Sequence, residues 1–116
     1  MTHYMKLNAQ PFQMVKSGYK TIELRLNDDK RKSLMVGDTI IFSDINEPQN
    51  RISVVIVKIH TFLNFNELYK TLPLDKCGYL PDQICSASSS DMEKYYSVAE
   101  QNKYGVLGIE FEITTI

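Results

Sequence analysis

The chain has 116 residues, 43% of them hydrophobic and 23% charged, an ordinary globular composition that argues against a disordered or fibrous protein. That length suits one core and roughly two-thirds burial of the unfolded surface, so residues 1–116 are expected to form a single domain. The formal net charge of −1 gives no global pull toward nucleic acid, although residues 1–32 carry seven Lys or Arg against three acids.

In chain order, Tyr4 to Leu7 reads as a short strand, and Pro11 suits the opening turn of a helix that turns Phe12, Met14 and Val15 inward. Gly18 fits the place just past the end of that helix, where a positive φ costs glycine little. From Thr21 to Leu26 the pattern alternates, with Ile22, Leu24 and Leu26 on one face and Thr21, Glu23 and Arg25 on the other. This predicts a half-buried strand whose wet face sets a carboxylate beside a guanidinium, with Lys20 at the helix-to-strand junction. Asn27 to Lys32 is a charged turn, and Val36-Gly37-Asp38 is a second one that leads into a strand at Thr39 to Ser43. Polar residues Asp44 to Asn50 join that strand, as a hairpin, to a long β-branched strand at Arg51 to His60. Phe65, Leu68, Tyr69 and Leu72 recur at helical spacing until Pro73 stops them. Residues 74–89 show no period. Ser90 and Glu93 then match a capping box, with Met92, Tyr95, Tyr96 and Ala99 following on one face, which predicts a third helix with Tyr95 and Tyr96 packed inward. Leu107, Ile109, Phe111 and Ile113 alternate with polar residues and close the chain on a strand.

The longest apolar run, Ile52 to Ile59, is interrupted by Ser53 and Lys58 and falls far short of the roughly 20 residues of a spanning helix, so no membrane association is expected. The N-terminus lacks the apolar stretch and cleavage site of a signal peptide, which makes the cytoplasm the expected compartment. Cys77 and Cys85 are spaced for neither a redox pair nor a zinc knuckle and read as free thiols. His3 and His60 lie far apart, so neither a metal site nor a cofactor is expected. Short helices among four or five strands, without a βαβ rhythm, point to a small mixed α+β domain, with a partly closed barrel as one arrangement.

One stretch concentrates chemistry. The spacing G-x-K-x-x-E-x-R at Gly18, Lys20, Glu23 and Arg25 resembles the signature of the ASCH family, which is related to the PUA RNA-binding domains. The Pro11-Phe12 opening, the run Val36 to Phe42, Tyr95-Tyr96-Ser97 and the closing Tyr104 to Glu110 extend the resemblance over nearly the whole chain, leaving out the loop at 74–89. It implies a small PUA-like barrel of about five to six strands flanked by short helices, with a cleft lined by the Lys, Glu and Arg of the motif. The partner implied is RNA or a nucleotide-like small molecule.

Residue chemistry agrees with that implication. Lys20 and Arg25 can engage phosphate or carbonyl oxygens while Glu23 orients a ribose or a base edge. The candidate binding residues are Lys20, Thr21, Glu23, Arg25, Asp38 and Tyr79. Tyr79, Tyr95, Tyr96 and Tyr104 are able to stack a base, with helical spacing favouring the core for Tyr95 and Tyr96, and Tyr19 and Tyr79 at turn positions are freer to face a ligand. Read from pattern alone, Glu23 and Arg25 are equally an ordinary surface pair worth about 0–1 kcal/mol. A further alternative is a protein-interaction role for the basic turn Lys30-Arg31-Lys32.

A hydrolase is the rival. One branch of the ASCH family is an amidohydrolase that removes the acetyl group of N4-acetylcytidine through a lysine, a threonine and a later glutamate. Lys20 matches that lysine, Glu23 stands in the place of the threonine, and Cys85 to Ser88 holds no acid where the later glutamate would fall. As an enzyme, this chain would use Lys20 and Glu23, with Glu23 taking a proton from water and Lys20 stabilising the oxyanion of an amide or of an RNA phosphodiester.

Overall fold

The computed structural model describes residues 1–114. Strand β1 (Thr2–Leu7) leads into helix α1 (Ala9–Lys16) and strand β2 (Ile22–Leu26). Strands β3 (Thr39–Asp44) and β4 (Arg51–Phe62) follow, then helix α2 (Phe65–Thr71), two short 3₁₀ turns at Ile84–Ser86 and Ser89–Lys94, helix α3 (Val98–Tyr104) and strand β5 (Val106–Ile113).

The five strands form one curled sheet in the order β1-β3-β4-β5-β2, with β1 and β3 parallel and every other pair antiparallel. The expected small α+β barrel flanked by short helices is therefore present as a five-stranded half-barrel, open between its two edge strands, β1 and β2. Helix α1 joins those two edges directly in sequence, which brings them to the same side of the molecule.

Two apolar clusters hold the sheet. One gathers Phe12 and Val15 of α1 with Ile40, Phe42, Val54, Ile56, Ile109 and Phe111 from the central strands. The other packs Phe65, Leu68 and Leu72 against Ile22, Leu24, Leu26 and Val106. No helix among the described residues is long and apolar enough to cross a membrane.

Three local expectations are corrected. The alternation of β2 does not give it a wet face: four of its five residues are buried and Arg25 is half-buried, because the segment after α2 folds over the polar side. The third helix is not continuous. Ser88, not Ser90, caps the 3₁₀ turn at Ser89–Lys94 in a reciprocal box with Asp91, and a second box between Ser97 and Glu100 opens α3. Two competing caps within ten residues break the helical run, so Tyr95 lies at the junction and is 55% exposed, while Tyr96 is half-buried beside Phe65.

Candidate functional site

Lys20 reaches its position through backbone constraints on both sides. Gly18, at φ +84, ends α1, and the amide of Lys20 donates to the carbonyl of Met14 at 3.0 Å, folding the junction back onto the last turn of the helix. The next two amides, of Thr21 and Ile22, both donate to the carbonyl of Lys76. The loop at 74–80 is thereby pinned to the start of β2, directly over its polar face.

On that face the three motif side chains meet. Lys20 Nζ lies 2.7 Å from Glu23 Oε1, and both Nε and Nη2 of Arg25 lie 2.7 Å from Glu23 Oε2. Arg25 Nη2 also donates to the main-chain carbonyl of Lys6 on β1 at 3.2 Å, bridging the open side of the half-barrel. Lys20 is 8% exposed and Glu23 5%, so this is a buried triad and not a surface pair.

Burial alone would raise the pKa of Glu23, but the charges of Lys20 and then Arg25, with their hydrogen bonds, outweigh it and hold the carboxyl below its ordinary value. Burial likewise opposes the charge of Arg25, and Glu23 more than compensates, leaving the guanidinium pKa raised. Glu23 and Arg25 are therefore both charged at neutral pH.

The triad forms part of the wall of a cavity of about 630 Å³. Its other walls come from Lys6, Leu7 and Asn8 at the end of β1, from Pro11 and Met14 of α1, and from the segment between Cys77 and Tyr96. Of the residues predicted from sequence, Lys20, Glu23, Arg25 and Tyr79 line this cavity together, whereas Thr21 and Asp38 do not. Thr21 precedes β2 and its main chain is spent on Lys76 and on the amide of Phe111. Asp38 lies at the opposite end of the parallel strand pair, where it takes His3 Nε2 at 2.8 Å and the terminal ammonium at 3.3 Å. Tyr19 does not line the cavity either; its hydroxyl donates to the carbonyl of Tyr79 and braces the loop from outside.

The segment over the site is tied down by a hydrogen-bonded row. The hydroxyl of Tyr79 donates to Asp91 Oδ2 at 2.7 Å, so the 2.6 Å bond between the Tyr69 and Tyr79 hydroxyls has Tyr69 as donor. Burial, more than any other cause, pushes the Tyr69 phenol up to about 12 and raises Tyr79 too, so both stay neutral donors. Burial also pushes the thiol of Cys77, at the cavity wall, up to about 12, which leaves it protonated and a poor nucleophile.

Sequence reasoning missed Gly78, Asp91 and Lys94. Gly78 adopts φ +106, and a Cβ there would stand 3.3 Å from Cδ of Lys20. The glycine in an otherwise unpatterned loop was the available signal. Among the described residues no group of three or more His, Cys, Asp or Glu side chains is arranged to hold a metal ion.

The family model for the ASCH domain matches residues 5–115. The chain belongs to the ASCH domain family. As an ASCH domain it superposes on the hypothetical protein PH0355 with a TM-score of 0.80 at 26% identity, over 98% of this chain and 100% of that one. Protein PF0455 from Pyrococcus furiosus gives 0.73 at 27% identity with both chains covered in full. An ASCH protein from Zymomonas mobilis shares the fold, with a TM-score of 0.65 at 14% identity over 94% of this chain and 65% of that one. No curated protein matches the chain by sequence.

Proposed function

We propose that this ASCH domain binds a nucleotide unit of RNA in the cavity walled by Lys20, Glu23 and Arg25. The observation that carries the reading is the buried, ion-paired triad in a cavity whose size falls in the range of about 300–1,000 Å³ usual for small-ligand sites. The cavity is lined by four cations, Lys6, Lys20, Arg25 and Lys94, against two carboxylates, Glu23 and Asp91. That local excess of two positive charges, in a chain of net charge −1, favours an anionic ligand.

Lys20 uses one of its ammonium hydrogens on Glu23 and keeps the others for a phosphate or carbonyl oxygen. Gly78 supports this by leaving the lysine tip uncrowded. Arg25 is held by Glu23 and the carbonyl of Lys6, so it shapes and charges the wall. Glu23 Oε1, with a lone pair to spare, accepts from a ribose hydroxyl or a base amine. Because both its oxygens are already paired with cations, Glu23 is a weak base, which favours binding over water activation.

The test is a titration of short single-stranded RNA and of nucleoside monophosphates against wild type and Lys20→Ala, with folding of the variant checked by thermal melting. Removing one charge-assisted contact is expected to weaken binding about tenfold or more. Unchanged affinity in a folded Lys20→Ala protein overturns the assignment. N4-acetylcytidine incubated with the wild type at high protein concentration is expected to stay intact, and turnover lost in Glu23→Gln would instead support the hydrolase.

A further inference from the structure

The cavity grades from a buried wall to an exposed rim. Lys20, Glu23, Leu24 and Cys77 are buried, whereas Lys6, Ile45, Lys94 and Tyr95, which line the same cavity, are exposed. Tyr95 is the one large aromatic of that rim, 55% exposed, and the ammonium of Lys94 sits 5.2 Å from the centre of its ring. A half-exposed phenol is unusual for a position that helical spacing assigns to the core. It results from the break between the two capping boxes, which leaves the ring at the cavity mouth, outside the apolar cluster that takes in Tyr96.

We infer that Tyr95 is a stacking platform for a second base, so that the site binds a single-stranded RNA chain of at least two nucleotides more tightly than a free mononucleotide. The inference rests on the nucleotide reading of the inner cavity. An inner nucleotide on Lys20 leaves its neighbour at the mouth, where the Tyr95 ring, with the Lys94 ammonium over it, is exposed enough to meet a base. Tyrosine stacks any base without reading its edge, and Lys6 and Lys94 flank the mouth as cations for the phosphates that follow. A free mononucleotide held on Lys20 leaves the Tyr95 platform unused. The rim therefore selects for a chain without selecting for its sequence.

The experiment compares a dinucleotide with its two singly abasic counterparts, each lacking the base at one end, on wild type, Tyr95→Ala and Tyr95→Phe. Tyr95 is exposed, so neither substitution disturbs the core. On wild type, removing the base at one particular end is expected to weaken binding about fivefold to a hundredfold. In Tyr95→Ala that loss disappears, in Tyr95→Phe it persists, and the loss for the other end is the same in all three proteins. If neither abasic loss depends on Tyr95 while the dinucleotide still binds, the platform is wrong and the inner site stands. If no dinucleotide binds the wild type at all, the inner-site reading and the platform fail together.

Discussion

Arg25 on β2 donates to the main-chain carbonyl of Lys6 on β1, 3.2 Å away, while its Nε and Nη2 hold Glu23 at 2.7 Å. One side chain thus ties the two edges of an open sheet to the charged centre of the cavity. Arg25→Ala removes both links and leaves Glu23 with a single cation. The expected cost is about 3 kcal/mol, the lower end for breaking a buried ion pair, because Lys20 remains. Urea denaturation measures it, and Arg25→Lys, which cannot bridge both groups, is expected to recover only part of the loss.

Glu23 also makes stability depend on pH with a defined sign. Its folded-state pKa lies below the ordinary 4.5, so its contribution is complete above that value and fades as the pH falls through the lower folded-state value. Asp38 is shifted the same way, chiefly by its bond to His3, so acid weakening of the wild type is not specific to the triad. The comparison with Glu23→Gln is specific. At neutral pH the variant is less stable, and the gap is expected to narrow below about pH 4.5, where Glu23 of the unfolded wild type takes up a proton first, and to close once the folded carboxyl is protonated too. A gap that stays constant down to acid unfolding contradicts the assignment.

Gly78 links the loop to the lysine. At φ +106 an alanine is strained, and its Cβ presses on Cδ of Lys20 at 3.3 Å. Gly78→Ala is expected to cost about 1–3 kcal/mol and to weaken RNA binding further by displacing the Lys20 side chain. Gly37→Ala, equally left-handed at φ +94 but with nothing within 4 Å of the added carbon, is the control that loses stability without losing affinity.

Asp91 holds the cover in place by serving two partners, the Tyr79 hydroxyl and the amide of Ser88. Asp91→Ala removes a cap and a latch at once. It is expected to cost about 1 kcal/mol and to speed amide hydrogen exchange across residues 79–94, leaving the central strand β4 protected.

The legibility of this fold followed local periodicity. The alternation at Leu107 to Ile113 and the β-branched run from Arg51 marked β5 and β4, and Gly18 marked the end of α1, because each signal is set by near neighbours. The motif Lys20, Glu23, Arg25 was legible for the same reason. Its burial was not, since it depends on Thr21 and Ile22 meeting the carbonyl of Lys76, more than fifty residues away. Asp38 came in with the Val36 to Phe42 part of the family resemblance, and it is spent on His3, the terminal ammonium and the amide of Met35, away from the cavity. Tyr95 was misread because its helical spacing continued through a break that two capping boxes impose.

In the proposed complex one nucleotide sits on Lys20 and its neighbour stacks on Tyr95. Titrating isotope-labelled protein with a short single-stranded RNA and following backbone amide shifts tests it most directly. The largest shifts are expected at Lys20, Glu23, Gly78, Tyr79 and Tyr95, with the amides of Asp28 to Lys32 unmoved. Shifts confined to the basic turn at Lys30-Arg31-Lys32, or none at all, would contradict the account.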